Sequence, residues 1–454
     1  MQLNESLVKG RVAGTLLKFA APVVFANLIQ VIYFTTDIII LDLFATGEDV
    51  AAVTIGAQVL QLITLGVSGL VMSLIVLLGQ LSGVKNEKGL SSAIGTAIPL
   101  FAVVTVVIMV GLLIANGPII ALMRTPAEAV EAASAYLRIS TFGIVFIIGF
   151  NVLVGAFRGL GNSKLPLVFI AVSSVVNIAL AYIFVRSFAM GAAGTATANV
   201  IANALGFVIS LLYIKRKGLG FSLSRADMRF DRRLLSKILK VGAPISLQEI
   251  LVASSFLLIT AVISEMGGVA GTNAVGITER IIIVYMMPTI GMMSAVSAMS
   301  AHNIGAGELR RAEKCMWTGI LMSLAVAVPA VAFSWFGGNI IVSIFSDDPN
   351  TIYNAVLYLR TYAFDVIGVA LVFVFNGFFN SLNRSVFAMV HSVTVTLLIR
   401  VPLVLLLSRI PDITLLSMGL AAPAASFASV IMCLTYFYYL KRKNRLVHHI
   451  NEAV

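Results

Sequence analysis

The chain has 454 residues, of which 59% are hydrophobic and 11% charged, and it carries a formal net charge of +11. Soluble globular domains carry roughly 25% charged residues, so this composition excludes a soluble fold. The basic excess would suit nucleic acid, but its placement along the chain, described below, argues against that.

Crossing the hydrocarbon layer takes about 20 predominantly apolar residues. Twelve stretches qualify, centred near residues 28, 65, 103, 146, 176, 203, 250, 285, 325, 368, 397 and 428. The N-terminal "MQLNESLVKGRVAG" lacks a basic region leading into a short apolar core and cleavage site, so no removable signal peptide is expected.

Span 1 contains "VIYFTTDIIILDLF" (31–44), an apolar and aromatic run with Asp37 near its middle. A charged group inside a span costs roughly 2.5–3.5 kcal/mol on insertion scales, so such residues usually face a cavity or a partner. Tyr33 lies four residues before Asp37 on the same helix face, and Asn27 and Gln30 fall near it, making one polar stripe. Two roles are open for Asp37. It can be a carboxylate hydrogen-bonded to span 5 or 6 that locks the packing. It can also be a site that takes up and releases a proton, or one that holds Na⁺ with neighbouring oxygens.

Span 4 is preceded by "TPAE" (125–128), which predicts Thr125 as N-cap with Pro126 at the first helical position. Span 5 carries Asn177, and span 6 carries Thr195, Thr197 and Asn199 among small residues that allow close packing. Their side-chain oxygens can complete a cation site with Asp37. The segment 217–237, "KGLGFSLSRADMRFDRRLLSK", reads as a cytoplasmic linker whose spacing suits a short interfacial helix.

Span 7 holds Glu249, and span 8 holds Glu279 beside Arg280, where a simple charge pair is also possible. "YMMPTIGMMSAVSAM" (285–299) is an adaptable apolar wall or ordinary helix packing. "SDDPN" (346–350) predicts a helix start at Asp348–Pro349 leading into span 10, which carries Asp365. In span 11, Arg400 must reach a carboxylate or an aqueous cavity, and His391 reads as a packed polar residue. Cys315 and Cys433 show no metal-ligand spacing, and no metal site is expected.

If the first loop is outside, most of the 31 basic residues fall on the side that also holds both termini, including "IKRKG" and "LKRKNR". This positive-inside bias predicts cytoplasmic termini in a plasma membrane of the bacterial inner-membrane type. The charge sets topology, and no nucleic-acid partner is expected.

The chain also repeats itself. "LLKFAAP" (16–22) returns as "ILKVGAP" (238–244), and "AYLRISTFG" (135–143) returns as "LYLRTYAFD" (357–365), both at an offset of about 222 positions. Six spans per half return the chain to its starting side, so the halves enter the membrane in the same sense. The expected fold is an all-α integral membrane protein with twelve transmembrane helices in two pseudo-symmetric six-helix bundles, a parallel repeat. The halves are 1–216 and 238–454, joined by the linker 217–237. The carboxylates are not repeated: Asp365 corresponds to Gly143, and Glu249 to Asn27. That asymmetry favours a functional role over a purely structural one.

Together these residues resemble the MATE (multidrug and toxic compound extrusion) family of secondary transporters. The resemblance covers almost the whole chain. It rests on the "AAP" and "GAP" openings of spans 1 and 7, on "VIYFTTD", on "GAFRGLGNSKLP" after span 4 and on "HNIGAGELRRA" after span 8, in that order and spacing. It implies export of organic, often cationic, compounds driven by inward H⁺ or Na⁺, with Asp37 as coupling carboxylate and Asn177 and Asn199 beside it. Many members carry an Asp four residues after the Asn of span 5, where this chain has Ala181. Tyr33, Gln30, Glu249, Glu279, Asp365 and Arg400 are candidates for the substrate cavity or a second coupling site. Beyond H⁺ or Na⁺ no cofactor is expected, and the protein is expected to work as a monomer. The alternative is a lipid or lipid-linked saccharide flippase of the same superfamily. Four acids against two arginines inside the spans favour cationic cargo. The spans show neither an HExxH metal pair nor a GxSxG elbow, so an enzyme is not expected.

Overall fold

In lipid every backbone amide and carbonyl must be satisfied within the chain, and unbroken apolar runs meet that requirement as helices. The computed structural model describes residues 7–221, 230–411 and 413–443, with helix throughout and no strand among them. Among the described residues, twelve helical stretches are long and apolar enough to cross a membrane. The interfacial helix expected within 217–237 falls largely outside the described residues.

In the first half the helices are α1 (Val12–Phe44), α2 (Gly47–Gly83), α3 (Glu87–Leu122), α4 (Val130–Gly159), α5 (Lys164–Tyr182) and α6 (Gly191–Lys217). In the second they are α7 (Arg232–Gly305), α8 (Leu309–Val342), α9 (Pro349–Tyr362), α10 (Phe364–Ser381), α11 (Ser385–Val395), α12 (Val401–Leu407), α13 (Leu415–Met418) and α14 (Ala421–Arg442). The long α7 supplies two of the candidate spans, Arg232–Phe256 and Gly271–Gly305. Helices α9 and α10 together make one span, as do α11 and α12 with the wide turn between them.

Local chemistry sets several of these boundaries. Asp348 caps α9 as its sequence predicts, accepting from the Thr351 amide at 2.9 Å and the Thr351 hydroxyl at 2.6 Å. The hydroxyl and amide of Thr351 hold this exposed carboxyl below its ordinary range. Thr46 and Asp49 form a reciprocal capping box at the start of α2. Asp49 also accepts from the Ala192 amide at 2.8 Å, which ties the start of α6 to α2. The expected cap at Thr125 is not made. Its hydroxyl donates back to the Ile120 carbonyl at 2.9 Å, the chain makes a 3₁₀ turn over Ala127–Ala129, and α4 starts at Val130 with no side-chain cap.

The chain divides into two compact units, and the divisions fall inside helices. Among the described residues, unit 1 comprises 21–221 and 230–242, and unit 2 comprises 7–20, 243–411 and 413–443. In unit 1, α4 packs on α2, α3 and α6, and α5 on α6. Its core includes Leu78, Phe157, Phe169 and, from the start of α7, the fully buried Ile238. In unit 2, α10 packs on α8 and α14, with an aromatic cluster of Trp317, Phe375, Phe378, Phe379 and Phe437. The "HNIGAGELRRA" loop holds the first described residues within this unit. Asn303 donates to the Leu7 carbonyl at 3.2 Å, and Arg311 to those of Gly10 at 2.6 Å and Lys9 at 2.8 Å.

Candidate functional site: a buried acid and amide in unit 1

Asp37 lies midway along α1 and is 7% exposed; Asn177, on α5, is 2% exposed. The Asn177 amide nitrogen donates to Asp37 Oδ1 at 2.9 Å. With its nitrogen spent on the acid, Asn177 leaves its own Oδ1 buried with no hydrogen-bond partner. Oxygens therefore outnumber donors at this point, and an acceptor-rich pocket attracts a proton or a cation.

The surroundings are also polar. Tyr33, one turn before Asp37, is hydrogen-bonded to Asn199 of α6, whose Oδ1 in turn accepts from Asn203 at 2.9 Å. A cavity of about 90 Å³ reaches Asp37 and Asn199 and is also lined by Tyr136, Thr54, Gln58 and Gln61. Small-molecule sites occupy roughly 300–1,000 Å³, so this cavity suits an ion and a few waters better than an organic cargo.

Sequence reasoning brought Asp37, Asn177, Asn199 and Tyr33 together. It passed over Tyr136, Thr54, Gln58 and Gln61. The last three recur at spacings of four and three along α2, a polar helix face inside an apolar span that could have been read. Tyr136 sits in the repeated "AYLRISTFG" motif. Gln30 is half-buried on α1 and does not line the cavity. Thr195 and Thr197 donate to backbone carbonyls of their own helix, and Ala181 is fully buried.

Gly56 is what admits the Tyr136 ring: a Cβ there would collide with Tyr136 Cδ1. Gly56→Val is therefore expected to displace the ring and destabilise unit 1 by about 1–3 kcal/mol. A detergent melting curve for the purified protein checks this, and an unchanged melting temperature with unchanged transport would contradict it.

Unit 2 holds a different polar group. Arg400 is buried, donates to Tyr362 Oη at 3.0 Å and lies 4.0 Å from the Phe256 ring centroid. Asp365, 2% exposed, lies within electrostatic range of Arg400 and is hydrogen-bonded to Ser426. Glu279 is within electrostatic range of Tyr358 and Tyr362. Glu249 stands apart, half-buried and with no hydrogen-bond or ion-pair partner among the described residues. A wide π turn over Thr396–Arg400 shifts the register of this helix, so that Arg400 is buried while Ile399, the repeat counterpart of Asn177, is only partly so. Such turns frequently mark functional positions. His391 is held by Ser429 at 2.9 Å and Asn376 at 2.8 Å, a fully used buried imidazole.

The molecule is thus a multi-pass helical membrane protein of two compact units, with a buried carboxylate among acceptor oxygens in the first. The model of the MatE family matches residues 22–183 and 244–406, and the chain belongs to that family of multidrug efflux transporters. It is 27% identical over 380 residues to the "Probable multidrug resistance protein YpnP" of Bacillus subtilis (strain 168), covering 81% of this chain and 82% of that one. It is 24% identical over 441 residues to the "Probable multidrug resistance protein YoeA" of the same strain, covering 95% of each. Among solved structures, a MOP superfamily transporter from Pyrococcus furiosus superposes with a TM-score of 0.90 at 19% identity, covering 99% of each chain. That protein is described as having a binding pocket of reversed polarity that suggests a different function.

Proposed function

We propose that this chain exports organic cations in exchange for H⁺ or Na⁺ by alternating access, with Asp37 as the exchange site. One observation carries the reading. The Asp37 carboxylate is buried, and its hydrogen-bond partner is an amide, with no cationic partner among the described residues. An uncompensated buried charge is costly. A proton, a sodium ion or a cationic cargo each relieves that cost, and the presence of one weakens the case for the next. Differential affinity of this kind is what couples an ion gradient to cargo movement.

Asn177 and Asn199 contribute oxygens beside the acid, and Tyr33 positions Asn199. Gln30, Glu249, Glu279, Asp365 and Arg400 are assigned to cargo binding or to a second coupling step. The protein works as a single chain in a bacterial plasma membrane with both termini in the cytoplasm, as the distribution of basic residues favours. Proteoliposomes given an imposed pH or Na⁺ gradient and a fluorescent cationic dye test the reading. Dye movement is expected to follow one of the two gradients and to stop when an ionophore collapses it. Movement indifferent to both gradients would overturn the exchange mechanism.

A further inference from the structure

A larger cavity lies elsewhere in unit 1, where α3 ends and α4 begins. Its volume is about 350 Å³, and Arg124, Arg138, Asn116 and Ser134 line it with no Asp or Glu among the lining residues. Neither arginine makes an ion pair among the described residues. Two guanidinium groups around one cavity are suited to bidentate recognition of a phosphate. Asn116 is 7% exposed, and its Oδ1 accepts from the Ser134 hydroxyl at 2.8 Å. Its nitrogen reaches the Ser134 carbonyl only at 3.5 Å, which leaves donor capacity for a ligand oxygen.

Arg124 also sits with φ at 49°, the left-handed conformation that ends many helices and that glycine normally supplies. An arginine there accepts strain that a glycine would avoid, and it places a guanidinium on the cavity wall. The feature is not inherited from the repeat. At the same offset Arg124, Asn116 and Ser134 become Ser346, Gly338 and Val356, and only Arg138 keeps its counterpart, Arg360.

The approach to the cavity is apolar. Val103, Val106, Val107, Val110, Leu113 and Ile114 form one exposed face of α3 at helical spacing, and Leu113 itself lines the cavity. In a membrane-spanning helix that face meets acyl chains, so a lipid tail can lie along it with its headgroup at the arginines. A free phosphate would gain nothing from the stripe.

We propose that this cavity binds the phosphate of an anionic phospholipid whose tail lies along α3. The purified full-length protein is to be titrated with phosphatidylglycerol, phosphatidylcholine and inorganic phosphate, with bound lipid read by native mass spectrometry and stabilisation by melting. Phosphatidylglycerol is expected to bind about tenfold tighter than phosphatidylcholine, and millimolar phosphate should not displace it. Arg124→Ala with Arg138→Ala should abolish that preference. Gly117→Phe serves as a second variant: a Cβ at Gly117 meets nothing within 4 Å, and the ring would fill the cavity with both arginines intact. It should lose the lipid while melting as the parent does. Equal phosphatidylglycerol binding in parent and variants, equal binding of the two lipids, or displacement by phosphate alone would each overturn the assignment, the last in favour of a free-anion site.

Discussion

Asp37→Asn is expected to lower gradient-driven export by more than about tenfold while the protein still folds, because it removes the carboxylate charge for which ion and cargo compete in the proposed exchange. The substitution is nearly isosteric. Asn177 can still donate to the remaining carbonyl oxygen, as it now does to Asp37 Oδ1 at 2.9 Å. Removing a buried charge should leave the melting temperature unchanged or raise it slightly. Proteoliposome transport and a melting curve on the same preparation separate the two effects. A variant that exports at the parental rate with its full dependence on the gradient would remove Asp37 from the mechanism. A variant that merely unfolds would show in the melting curve, and Asn177→Ala would then serve as the milder probe of the same pair.

The second large effect is expected in unit 2. Arg400→Ala deletes the donor to Tyr362 and leaves the buried Asp365 without the cation in its electrostatic range. Removing one member of a buried charge pair typically costs about 3–5 kcal/mol. Here the pair is not in direct contact among the described residues, so the lower end is expected. Combining Arg400→Ala with Asp365→Asn should recover much of the loss, because the stranded charge is gone. The coupling energy read from that cycle should exceed about 1 kcal/mol. If the single and double variants melt alike, Arg400 acts through its packing on Phe256 rather than through Asp365.

The membrane fold was legible because its signal is bulk composition: twelve apolar runs of sufficient length leave little choice of architecture. Asp37 and Asn177 stood out for the same reason, as polar groups in stretches that should have none. Other parts were hidden by physics the sequence does not display. Thr125 has the right identity and spacing for a cap, yet its hydroxyl turns back to the preceding helix. Arg400 was visible as a charge, but its partner was not, because a wide turn shifts the register of its helix. Tyr136 reads as one more aromatic in an apolar span until Gly56 is seen to make room for its ring.

The compact units, finally, do not coincide with the two halves of the repeat. Residues 7–20 belong to unit 2, while the described residues 230–242 belong to unit 1, and the divisions after Ala20 and Gly242 fall at equivalent repeat positions. Each unit thus borrows its opening helical turns from the opposite half. A single ancestral half with this construction would pack that segment on a twin, as domain-swapped homodimers do. Severing the chain at the linker would accordingly part each segment from the half it packs on, whereas a fused chain keeps the trade within one molecule.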